Sequence, residues 1–78
     1  MDIAKTWTRW HDGWVLTVIR TSTGEHFYKS QQDHQPDVPL NAAASLVDAQ
    51  HKAEDVVRGS GHRCVARCSF WIAEPADD

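Results

Sequence analysis

The stretch Thr6–Ser30, "TWTRWHDGWVLTVIRTSTGEHFYKS", limits this chain more than any other feature. Side chains alternate in character through three short runs, and "DG" and "TSTG" interrupt them where a chain would reverse. Asp-Gly is a strong signal for a two-residue hairpin loop, because glycine reaches positive φ without steric cost. Trp14–Arg20 is the clearest strand, rich in β-branched and aromatic residues. Alternation puts Trp14, Leu16 and Val18 on one face and Val15, Thr17 and Ile19 on the other. Gly24 serves a second turn, after which Phe27 lies opposite in face to His26 and Tyr28. Thr6–His11 pairs as a first strand, and Trp7 and Trp10 then point to opposite faces.

Beyond the hairpins the pattern changes. The prolines of "QQDHQPDVP" exclude a helix interior or a central strand. Asn41 is the expected N-cap of a helix over 42–58, "AAASLVDAQHKAEDVVR". At about 100° per residue, Ala42, Ala49, Ala53, Val56 and Val57 gather around Leu46, with Val47 at the margin. Asp48, His51, Lys52 and Asp55 take the far side. "GSG" at 59–61 ends the helix. A last strand follows over 62–72, and residues 73–78 form an acidic tail. The expected fold is α+β: an antiparallel sheet with one helix packed on it, in the order β-β-β-α-β. It is a single small domain over residues 1–78, with an ordered core of roughly 5–72.

One helix cannot cover a four-stranded sheet, so the sheet keeps an apolar face in need of cover. A second copy is the simplest cover, and a homodimer is the expected state. Trp7, Trp10, Trp71 and Arg67 are the candidate interface residues, since Trp and Arg are enriched where proteins meet. Aromatics beside arginines also stack on single-stranded bases, which makes a nucleic-acid binder the less favoured alternative. The net charge of -3, without strong asymmetry along the chain, argues against it. No signal peptide and no membrane span is expected, which points to the cytoplasm.

"GHRCVARCSFW" at 61–71 holds both cysteines. In a regular strand Cys64 and Cys68 stand about 13 Å apart, too far for a disulfide or a shared metal ion. Cys64, Ala66, Cys68, Phe70 and Ile72 would then face the helix as small or apolar core residues. Arg63, Val65, Arg67, Ser69 and Trp71 would face away. A bend between 64 and 68 permits the alternatives: zinc held by His62, Cys64 and Cys68 with a fourth ligand from elsewhere, a disulfide, or a redox-active thiol. C-x3-C is less diagnostic than paired C-x2-C hooks. His51 pairs with Asp55 on the polar helix face as an ordinary i,i+4 couple. No nucleophile, base and orienting group come together in the sequence, no glycine loop is placed to cradle phosphate, and no enzyme activity is expected.

The tail resembles the end of a scattered group of short, uncharacterised bacterial proteins. In these a tryptophan-bearing hairpin precedes an alanine-rich helix, and the chain finishes G-H-x-C-x3-C-x2-W. Gly61, His62, Cys64, Cys68 and Trp71 carry the resemblance, which covers roughly residues 40–72. The group has no established activity, so it implies no catalytic role. It implies that the cysteine spacing is a pattern, which favours the metal and disulfide readings slightly.

Overall fold

The computed structural model describes residues 2–11, 13–61 and 68–74. They form strands β1 (Ile3–His11), β2 (Trp14–Thr21), β3 (His26–Gln32) and β4 (Asn41–Ala43), helix α1 (Leu46–Gly59) and strand β5 (Ile72–Glu74). The sheet is antiparallel throughout, in the order β4-β3-β2-β1-β5. The expected α+β fold with a single helix on the sheet is present, with the short β4 added before the helix. The link from β4 to β5 spans the whole sheet, from one edge to the other.

Both hairpins follow from their turns. His11 pairs with Trp14, leaving a two-residue connection in which Gly13 has a φ of 82°. At the second reversal Gly24 N–H donates to Thr21 O at 3.0 Å, with φ at 89°. Thr21 Oγ1 accepts from Glu25 N at 3.1 Å, which fixes the bend through a side chain as well. The register then stacks side chains in rows across the helix side of the sheet: His11–Trp14–Gln32, Arg9–Leu16–Ser30, Trp7–Val18–Tyr28–Asn41 and Lys5–Arg20–His26–Ala43.

The helix begins later than expected. Asn41 does not cap it; residues 41–43 add a strand to the β3 edge instead, and Ala42 leaves the helix stripe. Ser45 is the N-cap, its hydroxyl accepting from Asp48 N at 3.1 Å. The Asp48 carboxylate returns to Ala44 N at 2.9 Å, so the two side chains satisfy donors on each other's side of the cap. Three alanines before Ser45 offer no such acceptor, and the cap is decided by chemistry that alanine lacks. At the far end Ser60 N–H reaches Val57 O and Gly61, with φ at 83°, reaches Arg58 O.

Ala49, Ala53 and Val57 are the buried helix residues, as their spacing implied, while Val56 and Val47 stay exposed. Ala49 packs with Trp7 and Val18, and Ala53 and Val57 pack with Leu16. Ser30 Oγ donates to Ala53 O at 2.7 Å, so β3 touches the helix backbone itself. Such an approach leaves no room for a larger side chain. Ala53→Leu should therefore destabilise the fold by about 1–3 kcal/mol through overpacking, whereas Val56→Leu should stay within about 0.5 kcal/mol. Urea unfolding of the two variants makes the comparison.

The backbone bond from Ala44 and then the Lys52 ammonium hold the Asp48 carboxyl below its ordinary value. A carboxyl lowered in the folded state stabilises the fold above its unfolded value of about 3.9 and loses that contribution as pH falls through the folded value. Acid titration of wild type and Asp48→Asn should show the wild-type advantage present at neutral pH and disappearing below about pH 4. Ser45→Ala should cost about 1 kcal/mol at neutral pH.

Candidate functional site: the C-terminal arm and the open sheet face

Residues 68–74 run along β1 as an arm. Ile72 pairs with Thr8, Ala73 with Trp7 and Glu74 with Thr6, so strand structure continues into the stretch expected to be a loose acidic tail. Farther back, Ser69 N–H donates to Trp10 O at 2.7 Å and Ser69 Oγ accepts from Trp10 N at 2.9 Å. Between these contacts the arm uses one residue more than β1, a bulge at Phe70–Trp71. Of the strand expected over 62–72, residues 62–67 lie outside the described residues; among the rest Ile72 alone is in regular strand and Cys68–Trp71 is irregular.

Arg9 ties the arm down. Its Nε donates to Ser69 O at 2.8 Å, and its guanidinium also pairs with Glu54 on the helix. One side chain from β1 thus connects strand, helix and arm. Trp71 turns inward from the bulge and packs against both halves of the core, beside Trp7 and Val18 and beside Leu16 and Val57. Its indole N–H is buried and meets no acceptor among the described residues.

These contacts reverse the expected facing of the arm. Trp71, placed on the outer side by simple alternation, fills the flank of the core. Phe70 and Ile72, placed under the helix, are 85% and 48% exposed. Small Ala49 and Ala53 leave room beside the helix, and the larger indole buries more apolar area there than phenylalanine would. Of the four candidate interface residues, Trp7 is 8% exposed beneath the helix and is no surface residue. Trp10 is 42% exposed, and Arg67 lies outside the described residues.

Of the expected metal ligands, His62 and Cys64 lie outside the described residues as well, and Cys68 is half-buried at the start of the arm. Among the described residues no group of three His, Cys, Asp or Glu side chains is placed to hold a metal ion. His51 stays exposed on the helix. No described helix is long and apolar enough to cross a membrane.

The face opposite the helix carries Thr6, Thr8 and Trp10 from β1, Val15, Thr17, Ile19 and Thr21 from β2, Phe27, Lys29 and Gln31 from β3, Ala42 from β4, and Ile72 and Glu74 from β5. No described helix or strand lies over it. Ile19, between Thr6 and Phe27, is only 3% exposed, while Trp10 and Ile72 stand out toward the β5 edge with Phe70 beside them. Lys29 and Glu74 are the only charged residues this face carries among the described strands, and Lys29 is paired with Asp37 at 3.7 Å. Near its far end a concavity of about 340 Å³ is lined by Asp2, Thr21, Ser22, Thr23, Glu25 and Phe27. The Thr21 and Thr23 hydroxyls there are bonded to each other and Thr23 to Glu25, which is turn chemistry. The density of threonine and apolar residues on the face was visible in the sequence. The inward Trp71 was not, because alternation separates Trp71 from Phe70 and Ile72 without saying which set meets the core.

Compared with known proteins, the chain matches no family model, no curated protein and no solved structure.

Trp71 should be needed for its volume and not for its N–H. Trp71→Ala is expected to cost about 3–5 kcal/mol. Trp71→Phe should cost clearly less, since no acceptor loses its donor. Denaturant unfolding of both variants tests this, and equal losses would show that the indole nitrogen has a partner after all.

Proposed function

We propose that this domain is a protein-interaction module that associates with a second copy of itself through the open sheet face. The observation that carries the reading is the exposed group Trp10, Phe70 and Ile72 on and beside a face with almost no charge. About a quarter of all residues in the chain are charged, yet this face has a single lysine, already paired, and one glutamate at its rim. Depletion of charge with aromatic residues retained is the compositional mark of an interface centre. A face without strong charge of either sign gives a charged foreign partner little to recognise, whereas two copies related by a two-fold axis present matching threonine and apolar surfaces.

The extent of the face suits the role. Two long strands, one of seven residues and two of three give roughly 500 Å² in projection at strand spacings of about 4.8 Å. Side-chain relief brings the accessible area toward the share of about 800 Å² that each partner contributes in a standard interface. The β3 edge is less suitable, because Gln35 Oε1 already accepts from Gln32 N at 3.1 Å and the 33–40 loop runs beside it.

Sedimentation velocity of the full chain on the order of 100 µM, which detects micromolar association, is expected to give about twice the 8.8 kDa mass. Thr17→Lys places a charge in the middle of the face and should return a folded monomer, its melting point lowered only by the loss of the dimer, and Phe70→Ser should weaken the dimer. A wild-type chain that stays monomeric at that concentration would overturn the proposal.

A further inference from the structure

On the other face of the sheet, past the end of the helix, the row Lys5–Arg20–His26 crosses three adjacent strands. From the register we infer that these three side chains form a binding site for a phosphate group, on free phosphate or a small phosphorylated molecule. Lys5 is directly opposite Arg20, and Arg20 directly opposite His26. Lys5 and His26 therefore stand about two strand spacings, or 10 Å, apart with Arg20 between them.

The pairing of charges sets this row apart. Six lysines and arginines belong to the described residues, and four of them (Arg9, Lys29, Lys52 and Arg58) each have a carboxylate partner. The two that have none among the described residues are Lys5 and Arg20, which face each other. Like charges directly opposed across a strand pair are destabilising. Lys5 has the ring of Trp7 at 5.4 Å from its Nζ, which holds the ammonium in place without neutralising it. Arg20 is exposed, and Lys5 and His26 are half-exposed, so a ligand can reach all three.

The chemistry favours a compact oxyanion. A guanidinium offers a planar fork of donors that matches two phosphate oxygens, an ammonium adds a point charge, and an imidazole adds a ring N–H. The helix N-terminus is not needed, and its capping bonds already take Asp48 N and Ala44 N. A nucleic-acid strand is less suited. Stacking along a strand needs exposed aromatics beside the basic groups, and the exposed Trp10 and Phe70 belong to the opposite face and the β5 edge, while Trp7 is buried. The site is separate from the self-association surface.

The test is an amide-shift titration of the full ¹⁵N-labelled chain with inorganic phosphate at constant ionic strength, with sodium chloride as the control and a nucleoside monophosphate and a short single-stranded oligonucleotide as further arms. Saturating shifts at Lys5, Arg20 and His26 are expected with phosphate and not with chloride. The nucleoside monophosphate should match phosphate if the phosphoryl group alone is read, and bind more tightly if a phosphorylated small molecule is the ligand. Arg20→Gln should weaken binding by about ten-fold, the loss of one charge-assisted contact, and Arg58→Gln should leave it unchanged. Because Arg20 is exposed the variant should fold, and Lys5→Gln with the same loss provides an independent check. An equal response to chloride, an undiminished response in both variants, or binding by the oligonucleotide alone would overturn the inference.

Discussion

The close approach of α1 to the sheet governs the rest of the structure. Ala49 and Ala53 meet the sheet where Leu16 and Val18 are wholly buried, and Ser30 reaches the carbonyl of Ala53. A helix this near its sheet gains dense contact along one line but shields little width on either side. Width must come from other residues. On one flank Tyr28, Ala43 and Leu46 supply it, and on the other Trp71 does, packing against both core clusters. In so small a domain, where the margin of stability is a few kcal/mol, the indole of the arm belongs to the core as much as any strand residue.

Arg9 shows how that arrangement is held. It stands in the same cross-strand row as Leu16 and Ser30, on the helix side of the sheet, with its side chain mostly buried. There it meets both Glu54 and the Ser69 carbonyl. A lysine could pair with the carboxylate, but it lacks the separate Nε–H that serves the carbonyl. Besides its bonds to the β1 backbone, the arm is thus fixed by one apolar and one polar contact, each reaching back to the helix. Phe70, next to the inward Trp71, faces away from the core and is exposed.

What could be read from the residues was whatever depends on local geometry. The two turns, the facing of Trp14 through Ile19 and the buried helix stripe follow from glycine chemistry and from the periods of strand and helix. The start of the helix was misplaced by four residues because alanine suits both the end of a strand and the start of a helix, and the choice rests on a side-chain cap at Ser45. The arm was turned inside out for a different reason. Alternation between Trp71 and its neighbours Phe70 and Ile72 holds, but it does not say which set meets the core, and the pairing of Ile72 with Thr8 turns Trp71 to the helix side. Nor does a chain announce register. That Lys5 stands opposite Arg20, and not one residue away, depends on the two-residue hairpin loop at Gly13, from which the register runs unbroken to Lys5.

The two faces of the sheet therefore differ in a way composition conceals. On the helix side, charge is admitted at the margins of the core, where Arg9 finds Glu54 and where Lys5 and Arg20 find no carboxylate among the described residues. On the open side, threonines alternate with Val15, Ile19, Phe27 and Trp10 and leave almost no charge at all. Threonine suits a face that is exposed in one state and covered in another: its methyl group tolerates burial, and its hydroxyl can bond to water or across a contact. A face meant only for solvent would gain solubility from lysine and glutamate at these positions, and would be protected by them against association. Their scarcity there, together with the exposed Phe70 at the edge, gives the domain a surface whose composition suits contact better than water.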